Sequence, residues 1–270
     1  MPTAEIKGIG LYYETLGSGE PLVFIPGLGG TTDLWFQQRK YFSEPYQFIS
    51  LDNRGAGRSD KPQGPYSMRE FAADLEALLD HLGISQPINL VGASMGGIIS
   101  QAFIHDYPQR VKKLALVCSG VSAGDPHHTP TSPYVMNKIM NPGNTVEEKV
   151  DTFLEIFYHP EYAANNPDVR DFYLNRKIDP QPPHAYQAQL AACFDPRPYH
   201  QWLHEIRVPT LIYHGRDDAV WPLQNALTLK EGIGDSATLV IMEKAGHILM
   251  QEKPEEFNQT LHDFLKSSPN

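Results

Sequence analysis

The sequence predicts an α/β fold, a mostly parallel sheet covered by helices on both faces. Short apolar, β-favouring runs alternate with helical stretches that are apolar on one side, which is the pattern of parallel strands joined by crossover helices. Several of the runs open directly into glycine-containing loops. At one of them, Pro87–Val91 leads through Gly92-Ala93-Ser94-Met95-Gly96-Gly97 into Ile98–Phe103, giving strand, sharp turn and helix in sequence.

Taken in order, Ile9–Leu16 reads as a strand, Gly17–Glu20 as a turn and Pro21–Ile25 as a second strand. That strand opens into Pro26-Gly27-Leu28-Gly29-Gly30. Glycines let backbone N–H groups approach a ligand closely, so the stretch reads as an oxyanion-binding loop with the Leu28 N–H as donor; the plainer alternative is a flexible turn. Thr31–Phe42 fits a short helix and Tyr46–Leu51 a strand. The loop Asp52-Asn53-Arg54-Gly55-Ala56-Gly57-Arg58-Ser59 reads as a brace in which Arg54 pairs with a carboxylate. Its Gly-x-Gly is too short for a dinucleotide fingerprint and no helix follows at once.

Ser67 and Glu70 form a capping box, and Phe71, Leu75, Leu78, Leu79 and Leu82 then fall on one helical face that Gly83 closes. The helix after Ser94 ends at Tyr107-Pro108, and Val111–Cys118 is again a strand. From Ser119 to about Glu205 the character changes. Prolines, aromatics and short helical patterns (Thr145–Tyr158, Asp168–Lys177, Pro183–Ala192) replace strands, as in an insertion too long to be a loop. The alternating pattern resumes with the strand Pro209–His214, which ends in Gly215-Arg216-Asp217-Asp218. A helix over Leu223–Glu231, a strand over Ala237–Met242, the loop Lys244-Ala245-Gly246-His247 and a closing helix from Pro254 complete the chain.

Bulk properties narrow the function. At 270 residues the chain suits one α/β domain with an insertion. A net charge of −10 disfavours nucleic acid and anionic membrane as partners. Cys118 and Cys193, the only two cysteines, sit in apolar contexts that suit buried free thiols. The N-terminal stretch is not of the charged-then-apolar kind and no apolar run would span a bilayer, so the expected location is cytoplasmic.

The chemistry converges at strand ends, where sites form in open α/β sheets. Ser94, the Asp217-Asp218 pair and His247 all stand at such ends. A serine in a strained turn needs neighbours without colliding side chains, and Gly92 and Gly96 meet that need. The N-terminus of the following helix aims N–H groups at an anion formed beside the hydroxyl. Serine becomes a useful nucleophile when an imidazole takes its proton, and the imidazole needs a carboxylate on its other nitrogen. Eleven histidines also raise metal binding. His127-His128 point apart in an extended segment, and His200 and His204 share a helical face without the glutamate of a zincin motif, so no metal or cofactor is expected.

These motifs resemble those of the α/β-hydrolase superfamily over nearly the whole chain: Gly92-Ala-Ser-Met-Gly-Gly97, Asp52-Asn-Arg-Gly-Ala-Gly-Arg-Ser59, Tyr107-Pro-Gln-Arg-Val111, Gly215-Arg-Asp-Asp-Ala-Val-Trp-Pro222 and Ala245-Gly-His247. The resemblance implies an α/β-hydrolase fold with core residues 1–120 and 206–270 and a helical cap over 121–205. It implies a catalytic triad of Ser94, Asp218 and His247, with Leu28 and Met95 N–H groups as the oxyanion hole. Three residues after the strand-ending glycine is the family's place for the acid, which selects Asp218 over Asp217; a second family location points to Asp125. Pro26-Gly27 stands where the family often has His-Gly, which leaves the N–H donor in place. Leu28 to Gly83, with Gly64-Pro65-Tyr66-Ser67, is similar to 3-oxoadipate enol-lactonases and small carboxylesterases.

The expected activity is therefore hydrolysis of a small-molecule carboxylic ester or lactone through an acyl-enzyme. Rivals are a non-catalytic small-ligand receptor on the same fold and a cofactor-free perhydrolase or haloperoxidase activity. Of Tyr134, Met136, Ile139, Met140, Phe153, Ile156 and Phe157, about half are expected to bind the cap to the core and the remainder to supply an apolar roof above Ser94, suiting acyl groups of small to medium size.

Overall fold

The computed structural model describes residues 2–176 and 181–267. Its centre is an eight-stranded sheet of β1 (Thr3–Ile6), β2 (Ile9–Leu16), β3 (Pro21–Ile25), β4 (Gln47–Leu51), β5 (Ile88–Ala93), β6 (Val111–Val117), β7 (Thr210–Gly215) and β8 (Ala237–Met242), in the order β1-β2-β4-β3-β5-β6-β7-β8. β1 pairs antiparallel with β2, and β2 antiparallel with β4; every later pairing is parallel. This is the mostly parallel sheet that the sequence predicts. The four-residue β1 is an addition.

Helices α1 (Phe36–Phe42), α2 (Met68–His81) and α3 (Met95–Asp106) connect the early strands. Between β6 and β7 lie α4 (Pro133–Met140), α5 (Val146–Phe157), α6 (Pro160–Asn165), α7 (Asp168–Leu174), α8 (Pro183–Ala192) and α9 (Tyr199–Trp202). The chain closes with α10 (Gln224–Ile233), α11 (Leu249–Glu252) and α12 (Pro254–Lys266). The helical reading over Asp168–Lys177 holds through Leu174, and Lys177 lies outside the described residues. No described helix is long and apolar enough to cross a membrane.

The strands are buried on both faces, and alternation along β3 shows the reason. Val23 and Ile25 join a core with Phe71, Leu75, Ile98 and Phe103, from α2 and α3. Leu22 and Phe24 point the other way, into a second core with Trp35, Phe42, Phe257 and Leu261. Local chemistry sets the helix ends. The Ser67 hydroxyl accepts from the Glu70 N–H at the start of α2, and Gly83 leaves the helix at φ 68°.

The brace after β4 is an ion-pair cluster. Arg54 grips both Asp74 oxygens, at 2.6 and 2.7 Å, and meets Glu70 at 2.8 Å. Asp52 accepts from the Thr32 N–H and from Arg58, and Asn53 Nδ2 donates to the Pro26 carbonyl. The loop after β4 thus props up the glycine loop after β3. Both cysteines are free and buried.

Candidate active site

The backbone at Ser94 is what its neighbours require. The residue leaves β5 at φ 55°, ψ −123° and caps α3, in a region that L-residues rarely occupy. A Cβ on Gly92 would stand 2.3 Å from the Gly96 carbonyl oxygen, and one on Gly96 2.3 Å from that of Ile25. Only glycine fits at either place. The Ser94 N–H donates to the Val117 carbonyl, tying the turn to the end of β6. Its own carbonyl accepts from the Gly97 N–H and the Ser119 hydroxyl. The Ser94 side chain is left partly exposed.

The loop after β3 closes against this turn. A Cβ on Gly27 would lie 2.9 Å from Ser94 Cβ and 3.4 Å from Oγ. The turn Gly27–Gly30 is closed by the Gly30 N–H on the Gly27 carbonyl, with Gly29 at φ 65°. Among the described residues, neither the Leu28 N–H nor the Met95 N–H donates a hydrogen bond within the protein.

At the ends of β7 and β8, His247 Nδ1 lies 2.8 Å from Asp218 Oδ2, and both side chains are buried. Asp218 Oδ1 accepts the Val220 and Trp221 N–H groups at 2.9 Å each. Behind the pair, His214 Nε2 donates to the Trp221 carbonyl at 2.7 Å and stands 3.4 Å from Asp218 Oδ2. Burial pushes the Asp218 carboxyl up, but the His247 ring and its hydrogen bond, then His214 and the Trp221 N–H, outweigh it and hold the group below its ordinary value. Asp218 is thus a fixed anion in a dry place. Burial pushes His214 down, so that ring is neutral.

Asp217 faces elsewhere. Its side chain is half exposed, and its partner is His159 Nε2 at 3.6 Å. Asp125 is occupied by the His127 N–H and ring and by the His200 N–H. The structure therefore brings Asp218 and His247 together and sets Ser94 beside the glycine loop; among the described residues no hydrogen bond links Ser94 Oγ to the His247 ring. Catalytic hydrogen bonds are commonly long before substrate arrives.

Cys118, Asp218 and His247 place one potential metal-ligating atom each within 4.8 Å of one another. Two of those atoms already bond to each other, and burial followed by the Asp218 charge pushes the Cys118 thiol well up, so it stays protonated. A neutral thiol is a poor metal ligand.

Three sets of contacts around the site escape sequence reasoning. The Phe157 carbonyl accepts the His247 N–H at 2.8 Å, and its ring meets the imidazole edge-on at 5.2 Å. Glu252 accepts the Gly246 N–H with Oε1 and the His159 N–H with Oε2. Gln189 of α8 bonds the glycine loop. No local spacing signals any of them. Not all of the seven apolar residues of this region are turned inward. Ile139 and Ile156 are buried, but Tyr134 and Met140 are 58% and 60% exposed, Tyr134 being drawn outward to Glu155. Cavities of about 190 Å³ beside Trp202 and about 360 Å³ beside Pro65 lie away from Ser94, Asp218 and His247.

A family model described as alpha/beta hydrolase fold matches residues 20–254. The 3-oxoadipate enol-lactonase 2 of Acinetobacter baylyi is 28% identical over 268 residues, covering 98% of this chain and 96% of its own. The 2-hydroxy-6-oxo-2,4-heptadienoate hydrolase of Pseudomonas putida is 29% identical over 273 residues, covering 96% and 93%. Among solved structures, Est816, described as an N-acyl homoserine lactone degrading enzyme, superposes with a TM-score of 0.82 at 29% identity, over 97% of this chain and all of that one.

Proposed function

The chain belongs to the α/β-hydrolase fold family, and from that premise we propose that it is a serine hydrolase of carboxylic esters or lactones. Ser94 Oγ attacks the carbonyl carbon while His247 Nε2 takes its proton. Asp218 holds His247 with Nδ1–H toward the carboxylate and stabilises the imidazolium. The Leu28 and Met95 N–H groups receive the oxyanion that develops on the carbonyl oxygen. His247 then returns the proton to the leaving alkoxide, and the same cycle with water frees Ser94. Residues 121–205 act as a cap that bounds the acyl side of the cleft.

The observation that carries this reading is the buried Asp218–His247 pair at 2.8 Å, in the loops that follow β7 and β8, at the same sheet edge as the strained turn after β5 that presents Ser94. A carboxylate and an imidazole so arranged have the chemistry of a general base, and among the described residues the N–H groups of Leu28 and Met95 have no protein acceptor. The lactone-cleaving names among the relatives favour lactones as the first substrates to try. The Pseudomonas putida relative is named a 2-hydroxy-6-oxo-2,4-heptadienoate hydrolase, so a dienoate of that class belongs in the same panel.

The test is covalent. Incubation with a fluorophosphonate should add one label to the Ser94 peptide, read by mass spectrometry, and abolish hydrolysis of whichever ester or lactone is turned over. Absence of label together with absence of turnover would refute the hydrolase reading. Tight binding of a small ligand by such an inert protein would favour the receptor.

A further inference from the structure

Gln189 lies at the meeting of the inserted helices and the glycine loop. It belongs to α8, yet it is completely buried and each polar atom of its side chain is engaged. Oε1 accepts the Gly29 N–H at 2.9 Å and the Gln181 Nε2–H at 3.0 Å. Nε2 donates to the Arg54 carbonyl at 2.7 Å. One amide therefore clamps two core loops from above, the turn Gly27–Gly30 after β3 and the brace after β4. From below, the Asn53 bond to Pro26 and the close approach of Gly27 to Ser94 hold the same turn.

A four-residue turn with a glycine in the left-handed region can rotate its central peptide at small cost, because glycine accepts either sign of φ. The Gly29 N–H sits on that central peptide, one residue along from the Leu28 N–H. The bond to Gln189 Oε1 selects one orientation of that peptide, and with it ψ of Leu28 and φ of Gly29. The residue that presents the Leu28 N–H is thus anchored from its C-terminal side, while the Gly27 carbonyl anchors the turn through Gly30. Oxyanion donors act by being in place before charge develops, so a donor that wanders loses much of its effect on the transition state and little of its effect on the ground state.

We infer that Gln189 is a positioning residue for the Leu28 N–H, so that the oxyanion hole is complete only when the helices between β6 and β7 are seated on the core. The inference rests on the serine-hydrolase reading given above. It also assigns those helices a part in the chemistry: they deliver the acceptor that sets the hole.

The experiment compares wild type with Gln189→Leu and Gln189→Met, which keep the volume and remove the acceptor. It measures kcat and KM on the best ester or lactone and the affinity for an alkyl trifluoromethyl ketone, which traps serine as a tetrahedral oxyanion. Expected are a fall in kcat of about tenfold or more, a KM within about twofold of wild type, and a loss of ketone affinity matching the loss of kcat. Gln189→Glu should recover most of the activity. A carboxyl so buried stays protonated, accepts from Gly29 and donates to Arg54.

Unchanged kcat and ketone affinity in either apolar variant would overturn the inference, as would a loss confined to KM. If one apolar variant fails to fold, the other decides. Should both fail, Gln189→Asn, whose amide is one methylene too short to reach Gly29, replaces them: kcat and ketone affinity falling together at wild-type KM support the inference, and unchanged kcat and ketone affinity overturn it. Wild type that neither turns over any ester or lactone nor captures the ketone would remove the hydrolase reading itself, and this inference with it.

Discussion

Glu252→Gln should change how stability depends on pH. Glu252 is 7% exposed and bridges the Gly246 and His159 N–H groups. Burial first raises its carboxyl from 4.5 to about 7; the two N–H groups and Lys253 pull downward and the Asp218 charge pushes up, without reversing the shift. Between those values the folded protein keeps a proton that the unfolded chain has already released. Stability from this group is therefore full below about pH 4.5 and is lost as pH rises toward 7. At about 1.4 kcal/mol per pH unit the interval is worth about 3 kcal/mol. Urea unfolding followed by tryptophan fluorescence at several pH values from about 4.5 to 8 measures it for wild type and E252Q. Other groups titrate in both proteins and cancel in the difference. E252Q should gain on wild type by about 3 kcal/mol across the range. Parallel curves would refute the argument, because they would mean that Glu252 titrates alike folded and unfolded.

Ser94→Ala should fold as wild type and lose at least about 10⁴-fold in kcat, since only the nucleophile is removed; residual turnover near wild type in the purified variant would end the mechanism. Asp218→Asn should cost about 10³- to 10⁴-fold. The Val220 and Trp221 N–H groups keep the amide oxygen on their side, which turns Nδ2–H toward His247 Nδ1 and favours the wrong tautomer. Asp217→Asn should change kcat by less than about twofold, because its carboxylate faces His159, and equal losses in the two variants would overturn the assignment. Across p-nitrophenyl esters, kcat/KM should rise by up to about fourfold per added methylene and then fall once the acyl site is full. A steady rise to long chains would point instead to an open groove.

What was legible in the sequence is what is local. The α2 cap needs Ser67 and Glu70, three residues apart. The turn at Ser94 needs small residues two positions to either side, and the strands announce themselves as apolar runs of five to eight residues. Arg54 could be read as half of an ion pair because a guanidinium beside a buried strand end needs a carboxylate, though Asp74 could not be singled out. What stayed hidden depends on partners far along the chain. Gln189 is 160 residues from Gly29, and Glu252 is 93 from His159. The roof was hard to read for another reason. Apolar composition alone groups Tyr134 and Met140 with Ile139, whereas around α4 they stand well away from it and Val135 and Ile139, four residues apart, form the buried side.

The strand order gives the site a history within each newly made molecule. β5, β6, β7 and β8 lie side by side in the order in which the ribosome releases them, and Ser94, Cys118, Asp218 and His247 follow those strands one by one. A nascent chain can form the turn at Ser94 and pair β6 with β5 while the histidine does not yet exist. The hydroxyl then has no base, and the carbonyl of Phe157 waits for the N–H of a residue made 90 positions later. On the serine-hydrolase reading proposed above, the set of serine, carboxylate and imidazole is incomplete until the last parallel strand docks, and hydrolysis would begin only as folding ends.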